Sequence, residues 1–329
     1  MTVNRRDALR RSAALAATAL LPGLSDAQAP SGYPDRSVRF VVPYAAGGFP
    51  DTVARIIAQG LGDRIGQSVV VDNRPGANGG VAAGVLTSTP ADGYQFLVTD
   101  GSMFSINPAI YSKLTYDPKK DFVPVALVAS APLFLALHPK VPANDLKGFI
   151  EYVKANPGKV NYGSSGIGST HHLTVEAMKT ALGLDMVHVP FKGTGQSVPA
   201  LVGGQVDMLF SAYPSLVGFV KDGRVKLIAT NSAKRSSLAP DLPAIAELVP
   251  GFDFAPIVGV LAPAGTPQGS IQKIASEVVA VTKLPETVKK MEVAGIVPVG
   301  TGADDYAKAI ASENARMGPA IKAAGMKPE

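Results

Sequence analysis

The sequence predicts an α/β protein of two doubly wound halves facing one ligand, and three observations carry that expectation. Between Val38 and Ile65 a β-branched and aromatic run, Val38-Arg39-Phe40-Val41-Val42-Pro43-Tyr44, enters the small-residue turn Ala45-Ala46-Gly47-Gly48-Phe49-Pro50-Asp51. Beyond it Val53, Ile57, Leu61 and Ile65 recur every four residues, so a strand, a glycine turn and a helix follow one another. Lys159 to Leu182 repeats the order, with Val160-Asn161-Tyr162 as strand, Gly163 to Thr170 as turn, and Leu173, Ala177 and Ala181 four apart. The rest of the chain alternates short apolar runs with amphipathic ones, as a helix-covered parallel sheet requires.

The chain opens on an export signal. Asn4-Arg5-Arg6-Asp7-Ala8-Leu9-Arg10 has a twin-arginine-like look, an apolar stretch follows from Ser12 to Leu21, and small residues run up to Ala29. Cleavage after Ala27 and cleavage after Ala29 both fit, and twin-arginine and general secretory export both stay open. Removing residues 1–29 takes four arginines and two aspartates, which lowers the net charge from +5 to +3.

After the first strand-turn-helix unit, with Asp51 expected at or near the helix N-cap, Ser68 to Asp72 reads as strand and Gly79 to Leu86 as a short helix. Gln95 to Thr99 is a third strand, and Asp100-Gly101-Ser102 is its turn. Three strands with crossovers spell a parallel sheet, whose ligands sit beyond the carboxyl ends of the strands, where Tyr44 to Asp51 and Thr99 to Ser102 both fall. Phe122 to Leu137 is an apolar run broken by Pro124 and Pro132, too short to span a membrane, and reads as buried strand passing from one half to the other.

From Leu146 to Thr230 helices (Leu146–Ala155, His171–Leu182, Ser197–Val202, Pro214–Lys221) alternate with strands (Val160–Tyr162, Met186–Val189, Gln205–Phe210, Val225–Thr230). That is a complete α/β set. A last apolar run, Ile257 to Ala262, precedes three helices, Gln268–Thr282, Glu286–Ala294 and Ala303–Ala323, which have too few strands to stand alone. The division is therefore 30–130 with 254–329 as one discontinuous domain and 131–253 as the other.

Both turns suit an anion. A helix start points free N–H groups and the positive end of its dipole outward, and Gly47 and Gly48 let a ligand approach the backbone. The second turn adds hydroxyls at Ser164, Ser165, Ser169 and Thr170. Asp207, in an apolar strand, either caps a neighbouring turn or organises the site, because a buried acid needs partners. His171 and His172 read as first-turn polar residues whose side chains point about 100° apart, ill placed to share a metal.

Composition excludes several classes. The chain has no cysteine, so disulfides, thiolate catalysis, cysteine-bound zinc and a lipid anchor on cysteine are out. Basic residues are scattered and aromatics sparse, so no nucleic-acid stripe forms. Gly166-Ile167-Gly168 lacks the rest of a dinucleotide fingerprint, and no Gly-x-Ser-x-Gly elbow surrounds Ser164 or Ser165. No cofactor, metal or catalytic residue is expected; an exported hydrolase using Ser164 or Ser165 is the alternative.

Tyr44 through Arg55, Asp72-Asn73-Arg74-Pro75-Gly76-Ala77, Ala91-Asp92-Gly93-Tyr94, Tyr162 through Ser169, Phe191-Lys192-Gly193, Gly203 through Asp207 and Ala262 through Pro267 together resemble the successive signatures of the Bug-type receptors. These are the extracytoplasmic solute-binding proteins of tripartite tricarboxylate transporters. The resemblance implies a type II periplasmic-binding-protein (Venus flytrap) fold, two α/β domains joined by two crossovers. It implies a periplasmic monomer, not an enzyme, that closes on a small carboxylated solute for a membrane permease. It further implies ligand contacts from Tyr44, Ala46, Gly47, Gly48, Phe49 and Asp51 in one domain, with Ser102 beside them, and from Ser164, Ser165, Gly168, Ser169 and Thr170 in the other, where Asp207 joins them if it organises the site. Ile257 stands where many members carry tryptophan, a departure expected at the cleft edge.

Overall fold

The computed structural model describes residues 32–326. The expected export segment 1–29, with its cleavage after Ala27 or Ala29, lies outside the described residues. Val38–Val42 (β1) leads into Phe49–Ile65 (α1), Val69–Asn73 (β2), Gly80–Thr87 (α2), Gln95–Asp100 (β3), the one-turn helices Ser102–Ser105 (α3) and Asn107–Ile110 (α4), and Phe122–Ser130 (β4). Leu133–Leu137 (β5), Leu146–Ala155 (α5), Val160–Ser164 (β6), Thr170–Leu182 (α6), Met186–Pro190 (β7), Thr194–Val202 (α7), Met208–Ala212 (β8), Tyr213–Lys221 (α8) and Lys226–Thr230 (β9) follow. Ile257–Pro263 (β10), Gln268–Thr282 (α9), Pro285–Val293 (α10), Val297–Gly302 (β11) and Ala303–Ala323 (α11) complete the fold.

Two sheets organise these elements, one in the order β11-β4-β10-β3-β1-β2 and the other β7-β6-β8-β5-β9. In the first, α1 and α9 bury their apolar stripes on one face, with Val53, Ile57, Leu61, Ile274 and Val278 inside, while α2 and the start of α11 cover the other. Each fully buried Val, Leu or Ile side chain contributes about 1.5–3 kcal/mol. The second sheet is likewise sandwiched, by α5 and α6 on one side and by α7 and α8 on the other.

The expected parallel core is there: β1 pairs parallel with β2 and β3, and β6 parallel with β7 and β8. Both sheets are nevertheless mixed. β10 runs antiparallel to β3 and β4, and β5 antiparallel to β8 and β9, because these strands arrive from the opposite half. The run read as one strand over Phe122 to Leu137 is two strands in different sheets. Ala131-Pro132 between them is the first crossing, and 231–256 is the second.

Asn231, fully buried, ties the crossings together. Its Oδ1 accepts the Leu133 N–H at 2.8 Å, its Nδ2 donates to the Phe254 carbonyl at 2.7 Å, and the Ala131 N–H reaches the Pro256 carbonyl at 2.8 Å. The tail also differs from a purely helical return. It supplies β11 as an edge strand on β4, and α11 spans the halves, with Tyr306 in the first core and Met317, Ala320 and Ile321 in the second.

Candidate functional site

Where the crossings pass, a cavity of about 430 Å³ opens between the halves, walled by Ala131, Leu133 and Pro256 of the crossing segments. A second chamber of about 270 Å³ adjoins it, lined by Tyr44, Ser102, Asn107 and the turn from Ser165 to Thr170. Asp100 and Thr170 line both.

The first turn is built around a buried acid. Gly48 is the N-cap of α1 and Pro50 and Asp51 lie in its first turn, so Asp51 is near the cap and not the cap itself. Its Oδ2 accepts the Gly47 N–H at 2.8 Å and the Arg55 Nε–H at 3.0 Å, while its Oδ1 accepts from Asn73 Nδ2 at 2.8 Å. Burial pushes the Asp51 carboxyl up, but the hydrogen bonds from Arg55, Gly47 and Asn73 outweigh it and hold its pKa below the usual value. Asp51 thus shapes the turn from beneath and does not line the cavity. Gly47, Gly48, Phe49 and Thr52 do. Among the described residues the Gly48 and Phe49 N–H groups have no hydrogen-bond partner, which leaves them for a ligand.

The second turn spends most of its hydroxyls on itself. Ser164 Oγ, buried, lies 2.7 Å from His188 Nε2, and Ser165 Oγ lies 2.8 Å from His171 Nδ1. Ser169 caps α6, accepting the His172 N–H at 3.2 Å and donating to the Gly166 carbonyl at 2.7 Å. The Gly168 N–H donates to His172 Nδ1 at 3.2 Å. Thr170, expected as one of four equal donors, is the hydroxyl left without a partner among the described residues, and it faces both chambers. The adjacent histidines diverge as their spacing requires: His172 stacks on His188 with ring centroids 4.0 Å apart, whereas His171 lines the larger cavity.

Four helix starts converge on that cavity. Besides α1 and α6, Thr194 opens α7, and Ala212 and Ser215 belong to the cap and first turn of α8. The helices have 17, 13, 9 and 9 residues, long enough for aligned peptide dipoles to matter. Neither chamber is lined by Lys or Arg, and burial draws the His171 pKa down to about 4, leaving its ring neutral. What favours an anion at this cavity is backbone, since Asp100 is the acid on its wall. Such a site desolvates a small carboxylate against N–H groups and hydroxyls.

The remaining expected residues divide. Tyr44 donates its hydroxyl to Asp100 Oδ1 at 2.7 Å and lines the smaller chamber with Ser102, Ser165, Gly168 and Ser169. Ala46 is exposed and lines neither chamber. The structure does not bring Asp207 here: it precedes β8, accepts the Asn161 N–H at 2.7 Å, and pairs with Lys140 at 2.9 Å. That is the start of β6, while the ligand turn follows its end, so Asp207 lies at the opposite end of the strands. Ile257 also lies elsewhere, on a separate pocket beside Pro132 and Arg235. Thr194, Ser211 and Ser215 were not foreseen, because only the topology brings the starts of α7 and α8 to the cavity.

The hydrolase alternative finds two serine–histidine contacts but no hydrogen-bonded acid on either histidine among the described residues, and Ser164 is buried. No group of three His, Asp or Glu side chains among the described residues is placed to hold a metal. A larger open groove of about 570 Å³ runs along α1 and β2, past Arg55, Asp63 and Val69, away from the crossings.

Comparison with known proteins places these features. The profile described as tripartite tricarboxylate transporter family receptor, TctC, matches residues 53–326. BugT of Bordetella pertussis is 31% identical over 297 residues, 90% of this chain and 91% of its own length. The solved structure of R. palustris Rpa4515 with adipate is similar at a TM-score of 0.76 and 34% identity, covering 90% of this chain and 100% of that one. MatC (Rpa3494) from Rhodopseudomonas palustris with bound malate is similar at a TM-score of 0.69 and 31% identity, covering 88% of this chain and 100% of that one.

Proposed function

This chain belongs to the tripartite tricarboxylate transporter receptor family, and on that premise we propose that it is an exported, non-enzymatic receptor that closes on a small organic carboxylate and hands it to a membrane permease of the tripartite type. The observation that carries the reading is the convergence of four helix starts, with unpartnered N–H groups at Gly48 and Phe49, on a cavity between two halves joined by two crossings. The ligands named for the two R. palustris relatives, adipate and malate, are both small carboxylates, in line with that chemistry.

The carboxylate sits at the Gly47-Gly48 turn and the start of α1, and Thr170 and the starts of α6, α7 and α8 meet it from the other half. Contacts from both halves are what make closure depend on ligand. The periplasmic location rests on the signal-like segment 1–29, and a free protein there on the absence of cysteine for lipid attachment. No helix among the described residues is long and apolar enough to cross a membrane.

Titration of the mature protein with a broad panel of small carboxylates tests the reading. A binder raises the melting temperature with concentration, as mass action requires, because it adds about 2.7 kcal/mol of stability at a hundred times its dissociation constant. A panel without one hit, together with an unchanged profile for Gly48→Asp, overturns it.

A further inference from the structure

Asp100 ends β3 on the wall shared by the two chambers, and its carboxylate is held in place from its own side of the cleft. Oδ1 accepts the Tyr44 hydroxyl at 2.7 Å and the Ser102 N–H at 3.0 Å. Two donors that would otherwise greet a ligand anion are thereby turned onto a protein one. No Lys or Arg lines either chamber to cancel that charge, and the His171 ring is neutral. We propose that Asp100 selects the solute, so that the cleft takes a monocarboxylate whose far end presents a hydrogen-bond donor, an ammonium or amide N–H, and discriminates against extended dicarboxylates. This rests on the carboxylate-receptor reading above and narrows it.

The end of the ligand at the helix starts meets N–H groups, but the end that reaches Asp100 meets an acceptor. A second carboxylate there faces repulsion from an acceptor that no Lys or Arg of the lining offsets, while an N–H completes a hydrogen bond to it. A second buried acid stands behind Asp100. Glu313 of α11, behind Gly101, is pushed up to about 8, by burial first and then by the charge on Asp100, so Glu313 keeps its proton at neutral pH. Burial raises Asp100 as well and outweighs the hydrogen bonds from Tyr44 and Ser102, but both of those bonds are donated to its carboxylate and leave it an acceptor towards the cleft.

The test uses matched probes at pH 7.5 by titration calorimetry: adipate, 6-aminohexanoate and adipamate, then glutarate, 5-aminopentanoate and glutaramate. The wild type is expected to bind the ammonium or amide probe about tenfold or more tightly than the dicarboxylate of equal length. Asp100→Asn keeps the shape and an acceptor for Tyr44, and a melting curve checks its fold. In this variant the ammonium probe weakens and the dicarboxylate gains, so the preference collapses or inverts. A wild type that binds the dicarboxylate as well as its partners, or a ratio unmoved by Asp100→Asn, overturns the proposal and leaves the carboxylate receptor standing. Binding of none of the six probes overturns both.

Discussion

Asp51 Oδ2 accepts the Gly47 N–H at 2.8 Å, and through that bond a carboxylate that never lines the cavity sets the conformation of the turn that does. The same carboxylate takes Arg55 and Asn73, so α1, β2 and the glycine turn are fixed to one buried charge. Asp51→Asn turns one acceptor into a donor facing Gly47 or Arg55. The expected cost is about 1–3 kcal/mol of stability, read by urea unfolding, because a buried donor is left unsatisfied. Affinity for any bound carboxylate falls with it, since the turn loosens. A variant of wild-type stability contradicts the account of this turn.

Gly48 separates binding from folding. Its φ of −73° suits any residue, and an added Cβ meets nothing nearer than the Ala45 carbonyl at 3.6 Å. Gly48→Asp therefore folds and puts a carboxylate against the N–H groups meant for the ligand. Affinity drops more than about tenfold, while the melting temperature of the free protein stays close to wild type. Calorimetry and a melting curve on one preparation decide it.

Much of this was legible in the sequence, for physical reasons. The change from a β-branched and aromatic run to period-four hydrophobicity around Gly47, and the same strand-to-helix change around Gly163, mark two strand-turn-helix joins, and both turns face the cleft. What was misread depended on contacts between distant segments. The cap itself is Gly48, three residues before Asp51, because Pro50 fits the first turn and moves the helix start back to Phe49. Asp207 looked like a strand carboxylate because its neighbours are apolar, yet β8 begins after it. β11 was missed because Pro298 and Gly300 interrupt it, as an edge strand with an irregular register on β4 allows. Asn231, the tie between the crossings, sits in the unremarkable run Thr230-Asn231-Ser232 and carries no sequence signal.

Gly295 backs onto Pro214 across the cleft, after α10 on one side and in the first turn of α8 on the other. Its φ is +74°, and a Cβ there would overlap the Pro214 ring. Gly295→Ala is expected to wedge the halves apart. Opening relieves the overlap, so affinity suffers more than stability: about tenfold in affinity against about 1 kcal/mol in unfolding. Small-angle scattering with saturating ligand should show a larger radius of gyration than the wild type. Equal radii would remove this contact from the closure.

Stability should peak near pH 6.5, where opposing protonations balance. Burial draws His171 down to about 4 and, with help from the charge of His172, draws His188 down to about 4, whereas their unfolded counterparts titrate near 6.5. The unfolded chain thus binds more protons, and stability is lost as pH falls from about 6.5 towards 4. Glu313 acts in reverse. Its folded value of about 8 lies above the ordinary 4.5, so it removes stability as pH rises between them, and above 6.5 its loss dominates. Melting temperatures from pH 4.5 to 8.5 check this. Glu313→Gln should flatten the alkaline arm and His188→Gln the acid arm; a wild-type profile still rising between pH 6.5 and 8 contradicts the assignment.

The central claim is that the cavity between the halves is a carboxylate clamp, and native mass spectrometry of freshly purified mature protein tests it most directly. The account predicts a protein carrying one small acid of defined mass, lost on mild unfolding and restored by adding that acid, with Gly48→Asp isolated empty. A protein that stays at its bare mass through millimolar additions of every small carboxylate tried, or a Gly48→Asp variant that carries the same acid, would contradict it.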